Sequence, residues 1–156
     1  ELSYQDKLTG LRNRNYLESR GDSLVNEGLP VSVIMLDCNY LKRTNDIHGH
    51  EMGDELLRRT ASVLLRVAGT DCLPMRVGGD EFLLVCPHTD GESALGLEQD
   101  IRLGLAAVSD EALTVSASIG VATVETAGNT MAEVYRAADH NMYREKRVVH
   151  AQGADC

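Results

Sequence analysis

The apolar run Val31–Leu36, broken only by the small Ser32, ends abruptly at Asp37. A stretch of strand length with no polar alternation reads as a central β-strand covered on both faces. Around such a strand the chain must supply both sheet neighbours and helical cover, and the rest of the sequence is read against that demand.

Downstream, Leu41 to Ile47 reads as one or two helical turns interrupted at Gly49. A longer helix is expected from about Glu51 to Arg66, with Leu57, Ala61, Leu64 and Leu65 on one stripe. Leu73–Val77 and Phe82–Cys86, separated by Gly78-Gly79, read as a hairpin whose Pro74 suits an edge strand. Asp90–Val108 carries a second helical stripe, Ala94, Leu97, Ile101, Leu105 and Val108. Leu113–Thr123 alternates: Leu113, Val115, Ala117, Ile119 and Val121 face one side, Thr114, Ser116, Ser118 and Gly120 the other. Helices flank this core: about Asn13–Arg20, with Asn13 as N-cap and Gly21 just past the end, and about Met131–Arg147. Strand, helix, strand, strand, helix, strand is the order of an α+β, ferredoxin-like split βαβ fold, an antiparallel sheet flanked by helices.

The chain of 156 residues fits one domain, 1–156. It contains no apolar run long enough to span a membrane and no signal-peptide pattern. With 24 Asp+Glu against 15 Lys+Arg the net charge is −9, which disfavours a sequence-blind grip on nucleic acid. Five Tyr, one Phe and no Trp disfavour base-stacking platforms as well. Cys38, Cys72, Cys86 and Cys156 show no zinc-like spacing and read as unpaired structural thiols, which suits a reducing, cytoplasmic setting. The chain begins at Glu1 rather than Met and reads as a fragment of a longer signalling protein.

Asp37 at the strand end and Asp80-Glu81 at the hairpin tip stand out by position. If the first strand and the hairpin are sheet neighbours, Asp37 and Asp80 come together. Close carboxylates repel unless a cation or proton lies between them. Mg²⁺, which takes one or two carboxylates plus substrate phosphates, would resolve the conflict. An ordinary Asp-rich turn and a polar strand end remain the alternative. Gly78 and Gly79 suit either reading, by positive φ in a tight turn or by close approach to a ligand.

Gly78-Gly79-Asp80-Glu81-Phe82 resembles the signature of the GGDEF family, the diguanylate cyclases. Asp6–Arg14 is similar to that family's opening D-x-L-T-x-L-x-N-R motif, and Asp37–Asp54 to its D-x-D-x-F-K-x-x-N-D-x-x-G-H-x-x-G-D block. Ser118–Ala122 resembles its late strand, and Ala138–Lys146 its closing A-D-x-A-L-Y-x-A-K helix. These motifs stand in family order over nearly the whole chain.

The resemblance implies a nucleotide-cyclase or polymerase-palm-like version of the fold. It implies condensation of two GTP into cyclic di-GMP with release of two pyrophosphates. Asp37, Asp80 and the backbone carbonyl of Cys38 would ligate Mg²⁺, with Mn²⁺ as a substitute. Asp80 would also be the base toward the 3′-hydroxyl, and Glu81 is a further catalytic residue of unassigned role. Tyr40 and Leu41 would offer backbone N–H groups to the phosphates at a helix start. Lys42 and Lys146 would add positive charge, His50 a phosphate or structural contact, and Gly78 and Gly79 close approach. Asn45 and Asp54 would read guanine, whose N1–H and N2 amine a carboxylate can accept together; helix capping is their alternative role.

The chain departs from the family at Asn39, in place of the second Asp, at Leu41, in place of Phe, and at Val149 and His150, in place of Gly and Arg. The family's inhibitory R-x-x-D pair falls on Gly69 and Cys72. The resemblance further implies a homodimer for catalysis, an isolated domain that is mostly monomeric, and an upstream sensor domain. The resemblance leaves room for a membrane anchor in the full protein, with no membrane contact expected from this segment. A weakly active or inactive GGDEF domain that binds GTP as a regulatory module is the alternative function.

Overall fold

The structure is a computed structural model describing residues 3–152. In chain order the elements are α1 (Arg14–Leu24), β1 (Val31–Cys38), α2 (Leu41–His48), α3 (His50–Ala68), β2 (Leu73–Arg76), β3 (Glu81–Cys86), α4 (Gly91–Ala107), β4 (Ala117–Val124) and α5 (Met131–Ala151). The four strands form one sheet in the order β2-β3-β1-β4, with every neighbouring pair antiparallel. This is the ferredoxin-like arrangement, with α2 added between β1 and α3.

All eight residues of β1 are buried, because the strand is central and both faces are covered. Ile34, Leu36 and Cys38 enter a cluster with Leu56, Leu57 and Leu64 of α3 and Ile101 and Leu105 of α4. Val31, Val33 and Met35 enter a second cluster with Leu17 of α1 and Val134, Ala138 and Met142 of α5. At roughly 1.5–3 kcal/mol for each fully buried large aliphatic side chain, β1 stabilises both layers at once.

Three boundaries differ from the sequence reading by more than about two residues. Gly21 lies inside α1, which runs on to Leu24. Its role is close approach: a Cβ there would sit 2.8 Å from Cβ of Met131 on α5. Pairing in β4 starts at Ala117, although Leu113 and Val115 are buried in the same cluster. Side chains take the place of a strand partner there, since Val115 N–H donates to Ser109 Oγ at 2.8 Å and Leu113 N–H to Asp110 Oδ1 at 2.9 Å. Finally, α5 continues through Val149 and His150 to Ala151.

Edge strand β2 holds Pro74, as expected, and is covered by the segment before α1. Arg12 bridges Met75, and the Arg76 N–H donates to the Arg12 carbonyl at 2.8 Å. Arg76 Nη1 pairs with Asp6 Oδ1 at 3.2 Å, and its Nη2 reaches the Gly79 carbonyl at 2.9 Å.

Candidate active site

Antiparallel pairing of β1 with β3 sets Asp37 opposite Glu81, and the Cys38 N–H donates to the Asp80 carbonyl at 2.9 Å. The three carboxylates therefore meet at one end of the sheet. The Asp37 side chain is only 4% exposed, with Lys146 Nζ of α5 at 2.5 Å from Oδ2. Its Oδ1 is buried and receives no hydrogen bond. Burial, then the approach of the Asp80 carboxyl, push the Asp37 carboxyl up to about 7, against the opposing pull of Lys146. A buried acceptor without a donor costs about 1–3 kcal/mol, a cost that a proton on the carboxyl or a ligand at this oxygen would relieve.

A hard divalent cation is such a ligand. Among the described residues no three His, Cys, Asp or Glu side chains are grouped to hold a metal. An ion at Asp37 and Asp80 would take its other ligands from backbone, water or phosphate, as Mg²⁺ characteristically does. The Cys38 thiol is not available to it. It is buried against Thr60 Oγ1 at 3.5 Å, and burial pushes it up to about 12, which leaves the backbone carbonyl.

Beside Asp80 opens a cavity of ≈340 Å³ lined by Leu41, Lys42, Asn45, Asp46, His50 and Asp80. Tyr40, just before α2, adopts φ 68°, a left-handed conformation that costs a non-glycine residue about 1–3 kcal/mol. No side chain caps α2, so its first N–H groups remain available as anion donors. Asn45 Oδ1 rests on Gly53 of α3, where a Cβ would lie 1.8 Å away. Asp54 follows Gly53 on α3 and is half-buried, but it does not line the cavity. Tyr40 lines a neighbouring cavity with Arg43, Ile47 and His48. Lys146 enters from α5, and Gly78 and Gly79 lie in the hairpin turn.

The turn itself corrects one expectation. Neither Gly78 nor Gly79 has positive φ. What remains of their rationale is space: nothing lies within 4 Å of a Cβ at Gly79.

The sequence reading gave no role to Tyr135 and Arg14. Tyr135 Oη donates to Glu81 Oε1 at 2.5 Å, and Arg14 Nη2 donates to Tyr135 Oη at 3.4 Å. Arg14 Nε also holds the Val77 carbonyl at 2.7 Å. Burial and the Glu81 charge push Tyr135 up to about 12, so the phenol stays a donor and fixes the carboxylate. Glu81 is thereby oriented from α1 and α5 together. Asp46 was also missed, although it lines the cavity.

Asn39 turns away from the cavity. Its Nδ2 donates to Ser116 Oγ at 3.2 Å, and its Oδ1 accepts from Ser118 Oγ at 3.0 Å. A neutral amide suits two hydroxyls, so the missing charge is absent from the β4 side rather than from the Asp37–Asp80 pair.

The family model described as "Diguanylate cyclase, GGDEF domain" matches residues 3–152. The chain is 37% identical over 156 residues to the response regulator PleD of Caulobacter vibrioides, covering 94% of this chain and 34% of that protein. It is 35% identical over 150 residues to the diguanylate cyclase DgcM of Escherichia coli K12, covering 92% and 36%. The chain thus spans about a third of the length of these curated relatives. Among solved structures it resembles the GGDEF domain of DgcB from Caulobacter crescentus in complex with c-di-GMP, with TM-score 0.84 and 27% identity over 94% of this chain and 92% of that one. A sensory box/GGDEF family protein from Caulobacter crescentus CB15 matches with TM-score 0.80 and 34% identity, covering 94% and 99%. An antiparallel sheet carrying Gly78–Phe82 on its hairpin, joined to these likenesses, places the chain in the GGDEF diguanylate cyclase domain family.

Proposed function

We propose that this domain condenses two GTP molecules into cyclic di-GMP. The observation that carries the reading is the buried, donorless Asp37 Oδ1 beside Asp80, at the edge of a cavity lined by Lys42, Asn45 and His50. The triphosphate lies at the uncapped start of α2, against the N–H groups of Tyr40 and Leu41, with Lys42 and Lys146 supplying positive charge. Mg²⁺ or Mn²⁺ held by Asp37, Asp80 and the Cys38 carbonyl neutralises phosphate charge when bound. Asp80, on the wall of that cavity, accepts the proton of the 3′-hydroxyl. That oxygen bonds to the α-phosphorus of a second GTP as its bond to the β-phosphate oxygen breaks and pyrophosphate leaves. The step occurs twice, so two domains face each other as a homodimer. The −9 charge opposes that pairing, so the isolated domain is mostly monomeric and an upstream sensor segment would bring two copies together in the cytoplasm.

Incubating concentrated domain with GTP and Mg²⁺, and assaying for cyclic di-GMP, tests this. Absence of product at any concentration refutes it. GTP binding without turnover would select the regulatory-module reading, which the Val149 and His150 departures favour.

Asn45 and Asp54 are assigned to guanine. GTP turnover should therefore exceed ATP turnover by about 1,000-fold or more, because adenine leaves the site's polar groups unpaired. Comparable rates with the two nucleotides would overturn the assignment.

Proton linkage gives another expectation. In metal-free buffer the Asp37 carboxyl titrates near 7 when folded, against an ordinary 3.8, so the folded state holds the extra proton between those values. Stability should fall as pH rises through that window, and Mg²⁺ should raise the melting temperature more above pH 7 than below pH 5. Asp37→Asn should flatten both trends; an unchanged pH profile in that variant would exclude Asp37 as their source.

Product inhibition at the R-x-x-D position is expected to be absent. Gly69 and Cys72 carry neither guanidinium nor carboxylate. The nearby Arg66 guanidinium lies toward Gly104 on α4, whereas Asp71 lines a cavity with Gly28 and His88. Calorimetric titration with cyclic di-GMP should show no micromolar binding that an Arg66→Ala, Asp71→Ala double variant removes.

A further inference from the structure

We propose that Cys72 and Cys86 are a redox modification site, forming a reversible cross-strand disulfide by exchange with a low-molecular-weight disulfide, Cys72 being the thiol that reacts first.

The placement follows from the register of the hairpin. Leu73 pairs with Val85 at the start of β2, so the next facing positions are Cys72 and Cys86. Hydrogen-bonded and non-hydrogen-bonded pairs alternate along an antiparallel ladder. Val77 N–H donates to the Glu81 carbonyl at 2.9 Å, which marks that pair as hydrogen-bonded. Counting back along the strand makes Met75 with Leu83 and Leu73 with Val85 hydrogen-bonded, and Cys72 with Cys86 non-hydrogen-bonded. In such pairs the Cα atoms approach to about 4.5 Å, inside the range of about 4.4–6.8 Å that a disulfide spans. Both side chains meet the same core cluster, under α3 and α4, and both cysteines are free.

The two thiols differ in access and acidity. Cys86 is fully buried, while Cys72 is partly exposed. The Cys86 thiol as hydrogen-bond partner pulls Cys72 below the ordinary thiol value, although burial and Asp71 oppose this. Cys86 itself is pushed upward, by that same interaction and then by burial. The more accessible thiol is therefore also the more readily ionised one, which is what an attacking sulfur requires.

The chemistry balances. The Cys72 thiolate attacks one sulfur of the oxidant R–S–S–R, giving Cys72–S–S–R and releasing one thiol. Cys86, losing its proton to solvent, then attacks the Cys72 sulfur and releases the second thiol. Two protein thiols are oxidised and one small disulfide is reduced to two thiols. The new bond fastens the open end of the hairpin whose closed end presents Asp80 and Glu81.

Oxidised glutathione is the probe. Cys156 lies outside the described residues, so the intact chain carrying Cys156→Ser is used, and activity need not be present. After oxidation, alkylation and proteolysis, mass spectrometry should find the Cys72 and Cys86 peptides joined and lighter by two hydrogens, a change that dithiothreitol reverses. With Cys86→Ala the reaction should stop at glutathione on Cys72, and with Cys72→Ser the residue Cys86 should stay unmodified. Recovery of both cysteines free, or a persistent glutathione adduct on Cys72 while Cys86 is present, would overturn the proposal. Glutathione on Cys86 in the Cys72→Ser chain would overturn the assignment of Cys72 as first thiol.

Discussion

Replacing Asp37 or Asp80 by Ala is expected to lower cyclic di-GMP formation by about 100- to 1,000-fold, the range seen when a transition-state charge contact is removed. Asp37 Oδ2 is engaged by Lys146, while Oδ1 is buried without a donor. Alanine would remove the oxygen available to a cation and leave the Lys146 ammonium without its buried partner. Asp37→Asn separates these effects, since the amide keeps the shape and a carbonyl oxygen but not the charge. It should fold normally by circular dichroism and still fail to turn over GTP. Near-normal turnover in either alanine variant would mean that Asp37 and Asp80 do not hold the metal.

The second large effect lies on the same face of the sheet, under α5. Gly120→Ala should destabilise the fold by about 3 kcal/mol, at the upper end of overpacking costs. A Cβ at Gly120 would lie 2.2 Å from the Ala138 carbonyl oxygen and 2.4 Å from the Met142 nitrogen. Both atoms belong to the backbone of α5, which can yield only by moving the whole helix away from β4. That helix carries both Lys146 and Tyr135, so activity should fall beyond what the unfolded fraction accounts for. Gly96→Ala on α4 is the control, because nothing lies within 4 Å of its added methyl. It should leave stability unchanged or raise it by up to about 1 kcal/mol, because alanine is the better helix former. Equal denaturation midpoints for the two variants would refute the close-packing argument.

Much of this arrangement is legible in local pattern. The apolar run of β1 signals two covered faces, and the structure covers both. The Gly78-Gly79 turn and Pro74 announce a hairpin with an outer strand, and the antiparallel sheet then brings Asp37 to Asp80. Relations between distant side chains leave no such periodicity. Nothing near Tyr135 indicates that it holds Glu81, 54 residues earlier, and nothing near Asn39 points to Ser116 and Ser118. Gly21 resembles a helix stop because its local signal is the same as that of a glycine spared for Met131. Such residues are chosen by what arrives from elsewhere in the chain, and only the folded arrangement reveals the match.

The segment before α1 has a mechanical consequence. Asp6 grips Arg76, Arg76 grips the Gly79 carbonyl, and the Arg12 carbonyl takes the Arg76 N–H. Arg14, two residues after Arg12, grips Val77 and Tyr135. Force applied to residues 4–12 would therefore arrive at the Gly78–Glu81 turn through two guanidinium groups, bypassing the hydrophobic layers. The hairpin tip is tethered to the start of the chain more directly than to the helix that precedes it in sequence.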